Sequence, residues 1–340
     1  MTEATIDLGD LEPVVHYRLG TWTVDVLLAD PQKGREGLGP ALRSSYELYG
    51  NPSIGKSTIA EFCACKIRPT GFIYHADLEG TLDERYLRSV IKQTGFHGTY
   101  KVIDAGKPDE KDKTKKVPRS HEEMTKEAVS HLSEAATNAV IIDSLGAFTP
   151  LAQMDGDLDE AYWGMRAKRL AVMSRQAASW LRNSGDSPSA LFMVNHIHDE
   201  MGGQGHYTPG GTTKEFLASY RLLLYKDKGW DDGFFAVGMK AEKLKYGGVK
   251  KDARGFLFMV PGFGVSPQMT AVYDCIKLGI AEAKTHVRLE VDGKSKSFGF
   301  LSKLVESATK PDVDHERFMP FFEKLEGYYE VVLGPTLKSE

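Results

Sequence analysis

Gly50-Asn51-Pro52-Ser53-Ile54-Gly55-Lys56-Ser57 is the stretch that decides the fold class of this chain. It fits the pattern G-x-x-x-x-G-K-[ST] and lies between a strand-like run, YELY, and a helix-like run, TIAEFCACKI. That context is what phosphate recognition requires. Glycines let the backbone curl so that its N–H groups face phosphate oxygens, and the start of a helix adds partial positive charge. Gly50 to Thr58 is therefore expected to bind a nucleotide, ATP with Mg2+. Lys56 would bridge the β- and γ-phosphates, and the Ser57 hydroxyl would be a magnesium ligand.

A second apolar run, Asn138-Ala139-Val140-Ile141-Ile142-Asp143-Ser144, ends in a carboxylate at the C-terminal end of a strand. Open α/β sheets bind ligands at that end. Asp143 is placed to hold the magnesium water shell, with Ser144 supporting it, although a buried strand can also simply end in Asp. Strand-like runs YELYG, TGFIYHA, YKVIDA, NAVIIDS, ALFMVNH and SYRLLLY alternate with helical periodicity. The helical stretches follow Ser57 and Thr58, span Ser120 to Thr137, and span Ala161 to Asn183. Between about residues 46 and 270 this predicts an α/β core, a mainly parallel sheet covered by helices on both faces.

The stretch from Lys107 to Arg119, KPDEKDKTKKVPR, is dense in both charge signs and bounded by prolines, which predicts a solvated loop. Past Pro267 come a helical run, VYDCIKLGIAEA, and a hairpin-like run, VRLEVDGKSKSFGF, with Asp292-Gly293 as its turn. Three parts are expected. Residues 1–30 form an appended segment that docks on the core or on a neighbouring subunit, 31–270 form the core, and 271–340 form a small C-terminal α+β domain.

The 340 residues are 41% hydrophobic and 26% charged, ordinary for a globular chain. No apolar run approaches the ~20 residues of a membrane span, and the acidic start MTEATIDLGDLEPVV is unlike a secretory signal, so a cytoplasmic protein with no membrane role is expected. Three cysteines, Cys63, Cys65 and Cys275, argue against a disulfide framework. Cys63 and Cys65 are expected to be ordinary residues of the helix beside the phosphate loop. A formal net charge of −4 restricts any nucleic-acid contact to local patches.

These motifs resemble, in their order, the RecA recombinase family, closest to its UvsX-type phage branch, over roughly Gly20 to Pro320. Ala76-Asp77-Leu78-Glu79-Gly80-Thr81-Leu82-Asp83-Glu84-Arg85-Tyr86 resembles the family segment that carries the catalytic glutamate. The resemblance implies that Glu79 polarises the water attacking the γ-phosphate, and that Asp83 and Tyr86 meet the adenine. Phe192-Met193-Val194-Asn195-His196-Ile197 resembles the strand that ends in the γ-phosphate sensor. His196 stands where most family members carry Gln and UvsX-type members carry His. Either side chain can donate to phosphate, and His brings a titratable charge.

By the same resemblance two segments touch DNA. The first, roughly 153–169, contains Trp163, Arg166, Lys168 and Arg169, with Trp163 as an apolar wedge between nucleotide triplets. The second, roughly 198–214, contains His198, Met201, Gly210, Gly211 and Lys214, with Met201 as a second wedge. Arg221, which follows, is counted with the DNA-binding residues and by the same resemblance couples nucleotide state to the second segment, while Glu215 departs from the Lys of many relatives. Lys243, and next Lys245, resemble lysines that reach the ATP of a neighbouring subunit; alternatively they form a solvent-facing strand edge. The sequence ends in TLKSE, so regulation by the strongly acidic tail of many relatives is not expected.

The implied function is an ATP-dependent recombinase that forms helical filaments on single-stranded DNA and pairs it with homologous duplex DNA. Mediator or single-strand-binding proteins are possible partners, in a bacterial cell or a phage-infected host. The alternatives are a hexameric replicative-type helicase and a non-catalytic protein that coats DNA with ATP as structural glue.

Overall fold

The computed structural model describes residues 14–109, 112–151, 164–184, 188–199, 206–211, 215, 218–246, 253–310 and 312–332. Helix α1 (Trp22–Leu27) precedes β1 (Ser44–Gly50), α2 (Lys56–Lys66), β2 (Phe72–Asp77), α3 (Glu84–Thr94) and β3 (Thr99–Val102). Two short strands, β4 (Gly106–Pro108) and β5 (Lys116–Pro118), lead to α4 (His121–Ser130), β6 (Thr137–Asp143), α5 (Met165–Arg182) and β7 (Ala190–His196). After them come β8 (His198–Asp199), β9 (His206–Tyr207), β10 (Tyr220–Gly229), β11 (Phe235–Leu244), β12 (Arg254–Val260) and β13 (Gly264–Val265). The last elements are α6 (Pro267–Lys277), β14 (Ala281–Ala283), β15 (Val287–Val291), β16 (Lys294–Gly299), α7 (Leu301–Ala308) and α8 (Met319–Val332).

Nine strands form one sheet in the order β13-β12-β11-β10-β1-β7-β6-β2-β3. Pairing is parallel from β10 across to β3, and antiparallel from β10 out to β13. The α/β class with a mainly parallel sheet is thus observed. Successive residues of the central strands feed opposite faces, as the strand period of two requires. Ile73, Ile141 and Phe192 join one core with Ile59 and Phe62 of α2, while Tyr74, Ile142 and Met193 join another with Met124 of α4 and Leu170 of α5. Burial on both faces explains why these strands read as continuous apolar runs.

A third core joins the antiparallel strands to the C-terminal elements: Phe256 and Phe258 of β12 meet Val272, Leu304, Phe318 and Phe321. Trp22 belongs to the same cluster, so α1 packs on its own chain. Phe256 N donates to Thr23 Oγ1 at 2.8 Å, and the Thr23 N and hydroxyl reach Asp274 of α6 at 3.1 and 2.8 Å.

Several expectations shift. The helix expected over Ser120–Thr137 ends at Ser130; its start is a capping box between Ser120 and Glu123, but Ala136 takes a left-handed φ of 62° and Thr137 is drawn into the buried strand β6. The stretch 107–119 is not merely loop, because β4 and β5 pair in antiparallel fashion. Mixed charge there is used locally, Lys116 bonding Asp104 and Lys115 meeting Asp112 at 3.3 Å. The helix expected over 272–283 starts earlier, at Pro267, where Ser266 caps Met269 N, and gives way to β14. The hairpin turn falls at Asp292-Gly293, with φ of 51° and 72°. Cys63, Cys65 and Cys275 are free and buried, and burial holds their thiols protonated.

Candidate nucleotide site and loop contacts

The parallel strands β1, β2, β6 and β7 all end at the same edge of the sheet, and a cleft of about 420 Å³ opens there. Its floor is the turn between β1 and α2. Gly50 runs so close to the Leu224 carbonyl that a Cβ would not fit, and Gly55 has a φ of 84° with Met259 Cε 2.7 Å from where a Cβ would stand. Both glycines are therefore required by space or by backbone angle. Pro52, Ser53, Gly55, Lys56, Ser57 and Thr58 line the cleft. Lys56 is buried and donates to Asn51 O at 2.8 Å. Burial lowers its pKa, while the charges of Asp143 and Glu79 work to raise it.

Asp143 lies opposite, at the end of β6. Burial pushes its carboxyl up to about 6; a hydrogen bond from Ser57 opposes the shift, and Glu79 and Asp77 add to it. The Asp143–Ser144 peptide is cis. Glu79 enters from the loop after β2, where Ser144 donates to its Oε1 and His196 Nε2 lies 2.9 Å from the same atom. Burial disfavours the Glu79 anion, but the bonds from Ser144 and His196 and the charge of Lys56 hold its carboxyl below the usual range. A carboxylate beside the end of β7, facing a lysine and a serine–aspartate pair, can order water against a phosphate bound below it. Magnesium fits this donor set, with Ser57 and Asp143 as the oxygen ligands that would hold it and its waters.

Tyr86 also lines the cleft and meets Thr58 Oγ1 at 3.1 Å. Asp83 does not join it: the side chain is exposed and caps α3, accepting from Tyr86 N at 2.7 Å. Lys243 and Lys245 lie away from the cleft of their own chain, with Lys243 Nζ on Glu215 O at 2.8 Å and Lys245 over the Tyr246 ring. Trp163, Met201 and Lys214 lie outside the described residues.

The described parts of the two proposed DNA segments meet. A Cβ on Gly211 would stand 3.0 Å from Ala167 Cβ of α5. Arg166 donates to Gly146 O at 3.1 Å, and Arg169 pairs loosely with Glu122 at 3.5 Å. His198 stacks on Tyr207 across the β8–β9 pair at 5.5 Å. Gly210 follows Pro209, whose carbonyl accepts from Asn195 Nδ2 at 2.9 Å. Arg221 points into the sheet and bonds the buried Glu47 at 2.8 Å.

Sequence reasoning missed the apolar wall of the cleft, Val194, Phe235, Met259, Val260 and Pro261. It also missed Glu61 on α2, where burial and then Asp143 and Asp77 push the carboxyl up to about 8. Its Oε2 has no hydrogen-bond partner among the described residues. A charged residue inside an apolar run, as at Glu47 and Glu61, is the signal that was available.

A strand–glycine loop–helix floor under a sheet whose neighbouring strands deliver Asp143, Glu79 and His196 defines a nucleotide-binding P-loop protein of the α/β class. The chain belongs to the RecA family: residues 34–250 match the RecA N-terminal domain. It is 27% identical to the protein named RecA of Nocardia farcinica over 242 residues, covering 69% of this chain and 62% of that one. Against the RecA of Corynebacterium aurimucosum it is 27% identical over 249 residues, 71% and 59% of the two chains. Against that of Mycobacterium bovis it is 27% identical over 274 residues, 78% and 31%. The chain thus spans about three fifths of the length of the first two relatives.

Proposed function

We propose that this chain is an ATP- and magnesium-dependent recombinase that assembles as a helical filament on single-stranded DNA and exchanges it into homologous duplex. The observation that carries the reading is Glu79, held by Ser144 and His196 across the cleft from Lys56, Ser57 and Asp143. Lys56 and the backbone of Gly50 to Thr58 hold the phosphates, and Tyr86 flanks the base. Glu79 orients the attacking water and accepts its proton, while His196 reports whether the γ-phosphate is present. Bound magnesium supplies charge neutralisation on the phosphate oxygens.

Lys243 and Lys245, away from their own cleft, would reach the cleft of the next subunit, which makes ATP a ligand that bridges subunits and favours the DNA-gripping polymer. Trp163, Arg166, Arg169, His198, Met201, Gly210, Gly211 and Lys214 are the proposed DNA contacts. His196 in place of the family's usual Gln supports a place in the UvsX-type branch, with mediator proteins and a phage-infected cytoplasm as the finer expectation. No helix among the described residues is long and apolar enough to cross a membrane.

The test is ATP hydrolysis with and without single-stranded DNA, on the wild type and on Glu79→Gln, with the assemblies imaged in parallel. DNA-stimulated turnover, helical filaments and a drop in turnover on the order of 100-fold or more in the variant are expected. Closed rings that unwind forked DNA would replace this reading with the helicase, and filaments without turnover would replace it with the coating protein.

A further inference from the structure

Helix α3 and the turn after β12 stand between two spaces. Tyr86, Met259, Val260 and Pro261 line the nucleotide cleft, whereas Ser89, Gln93 and Phe263 line a second cavity of about 360 Å³. Tyr86, Ser89 and Gln93 follow one another at spacings of three and four, a single stripe of α3 that passes from one space to the other. Ser89 Oγ donates to Phe263 O at 3.3 Å and Gln93 Nε2 donates to the same carbonyl, which fixes the shared wall. The far wall of the cavity comes from the start of α6 and from the stretch that follows α7. No described residue lines both spaces.

The chemistry of the second cavity is one-sided. Lys92, Lys310 and His315 line it together with the Gln268 amide and the hydroxyls of Ser89 and Thr309, and no Asp or Glu stands among its described lining residues. In a chain with 47 acidic residues, that exclusion belongs to the site and not to the composition. The two hydroxyls are already engaged as donors, Ser89 with Phe263 O and Thr309 with Val305 O at 2.9 Å. Glu306 lies only loosely against Lys310, at 3.9 Å, and its other oxygen takes Lys303 at 2.8 Å. Neither Lys92 nor His315 has a side-chain partner among the described residues. Four donors, from Lys92, Gln268, Lys310 and His315, are thus left to the cavity.

We propose that this cavity is a second anion site, separate from the nucleotide cleft, which takes a small phosphate-type oxyanion between Lys92 of α3 and the Gln268, Lys310 and His315 side chains of the C-terminal elements. A cleft lined by charge of one sign concentrates counter-ions, and donors without partners are satisfied by the oxygens of an anion. A volume near the lower end of the ~300–1,000 Å³ of small-molecule sites suits a small ligand and not a nucleic-acid strand. The bound anion ties α3 of the core to the elements packed behind it. The competing account is that the cations merely keep a surface crevice solvated.

Titration calorimetry with pyrophosphate and with inorganic phosphate separates the two accounts. Lys56→Ala is the background, because it removes the grip of the phosphate loop on either anion; the wild type with its cleft filled by a slowly hydrolysed ATP analogue gives the same measurement should that variant be unstable. One remaining site is expected for at least one of the two anions. Lys92→Gln and Lys310→Gln, both at exposed positions, are each expected to weaken it by about tenfold, the worth of one charge-assisted hydrogen bond. Lys294→Gln, on the exposed part of β16 and outside the cavity, should change it by less than about twofold.

No binding of either anion, binding indifferent to both Lys92→Gln and Lys310→Gln, or an equal loss in Lys294→Gln would each overturn the proposal. Displacement of the bound anion by a short duplex would assign the cavity to nucleic acid and overturn it as well. Neither turnover nor filament assembly enters the measurement, so failure of the recombinase reading leaves the second site standing, and loss of the second site leaves that reading untouched.

Discussion

Lys56 shows how one side chain is prepared for a ligand. It is 5% exposed, burial lowers its pKa, and its own-chain hydrogen bond goes to Asn51 O. A buried ammonium is costly, and anionic neighbours or a phosphate offset that cost. Lys56→Ala is therefore expected to leave thermal stability close to the wild type and to weaken ATP binding on the order of 100-fold, the worth of one or two charge-assisted hydrogen bonds. Titration calorimetry beside a thermal melt checks this, and near-normal binding would remove Lys56 from the phosphate site. Lys56, Ser57 and Asp143 could be placed from the sequence because one strand, one turn and one helix fix their spacing locally. Asp83 was harder to place. Its side chain caps α3, and an N-cap preference competes with any ligand-facing role without leaving a different trace in the sequence.

At the level of elements, the central parallel strands β1, β2, β6 and β7 and their helices could be read because burial on both faces leaves nearly continuous apolar runs, whereas the outer strand β3 is mostly exposed. The strand β11, interrupted by Gly238, Lys240 and Lys243, lacks such a run, and β12 was not read although Phe256 to Val260 is one; together they close the cleft with Phe235 and Met259. Nor could the junction of α1, β12 and α6 be foreseen, since Thr23 and Asp274 lie 251 residues apart. Asp274 is fully buried there, and burial pushes its carboxyl up to about 8 despite the two bonds from Thr23. The folded state thus holds a proton that the unfolded chain, at 3.8, gives up. Where the native state binds more protons, stability falls as pH rises, here between about 4 and 8. Asp274→Asn keeps the shape without the ionisation. Its stability by urea unfolding should match the wild type near pH 4 and decline less towards pH 8. Parallel curves for the two proteins would show that Asp274 is ionised in the fold.

For the whole molecule, the proposed function raises the question of how a chain of formal net charge −4 would grip a polyanion. Cations must be few and local, and the structure narrows them further. Arg221, one of the candidates, is turned inward and neutralised by Glu47, with Glu215 and Glu242 near its other nitrogens. That leaves Arg166, Lys168, Arg169 and Lys214 in the two proposed DNA segments. Each neutralised phosphate of a single strand contributes about 0.7 to the slope of log K against log salt. Four cations predict a slope of about −3 per bound subunit, much shallower than for a basic DNA-binding protein. Binding would then rest chiefly on close backbone approach at Gly210 and Gly211 and on apolar wedging, both tolerant of base sequence. The measurement is affinity for a short single strand over a range of salt, with a slowly hydrolysed ATP analogue present throughout. A slope twice as steep would place the grip elsewhere, on the exposed Lys294, Lys296 and Arg288 of the β15–β16 hairpin. The C-terminal elements would then hold the DNA, and the two segments at the sheet edge would only order it.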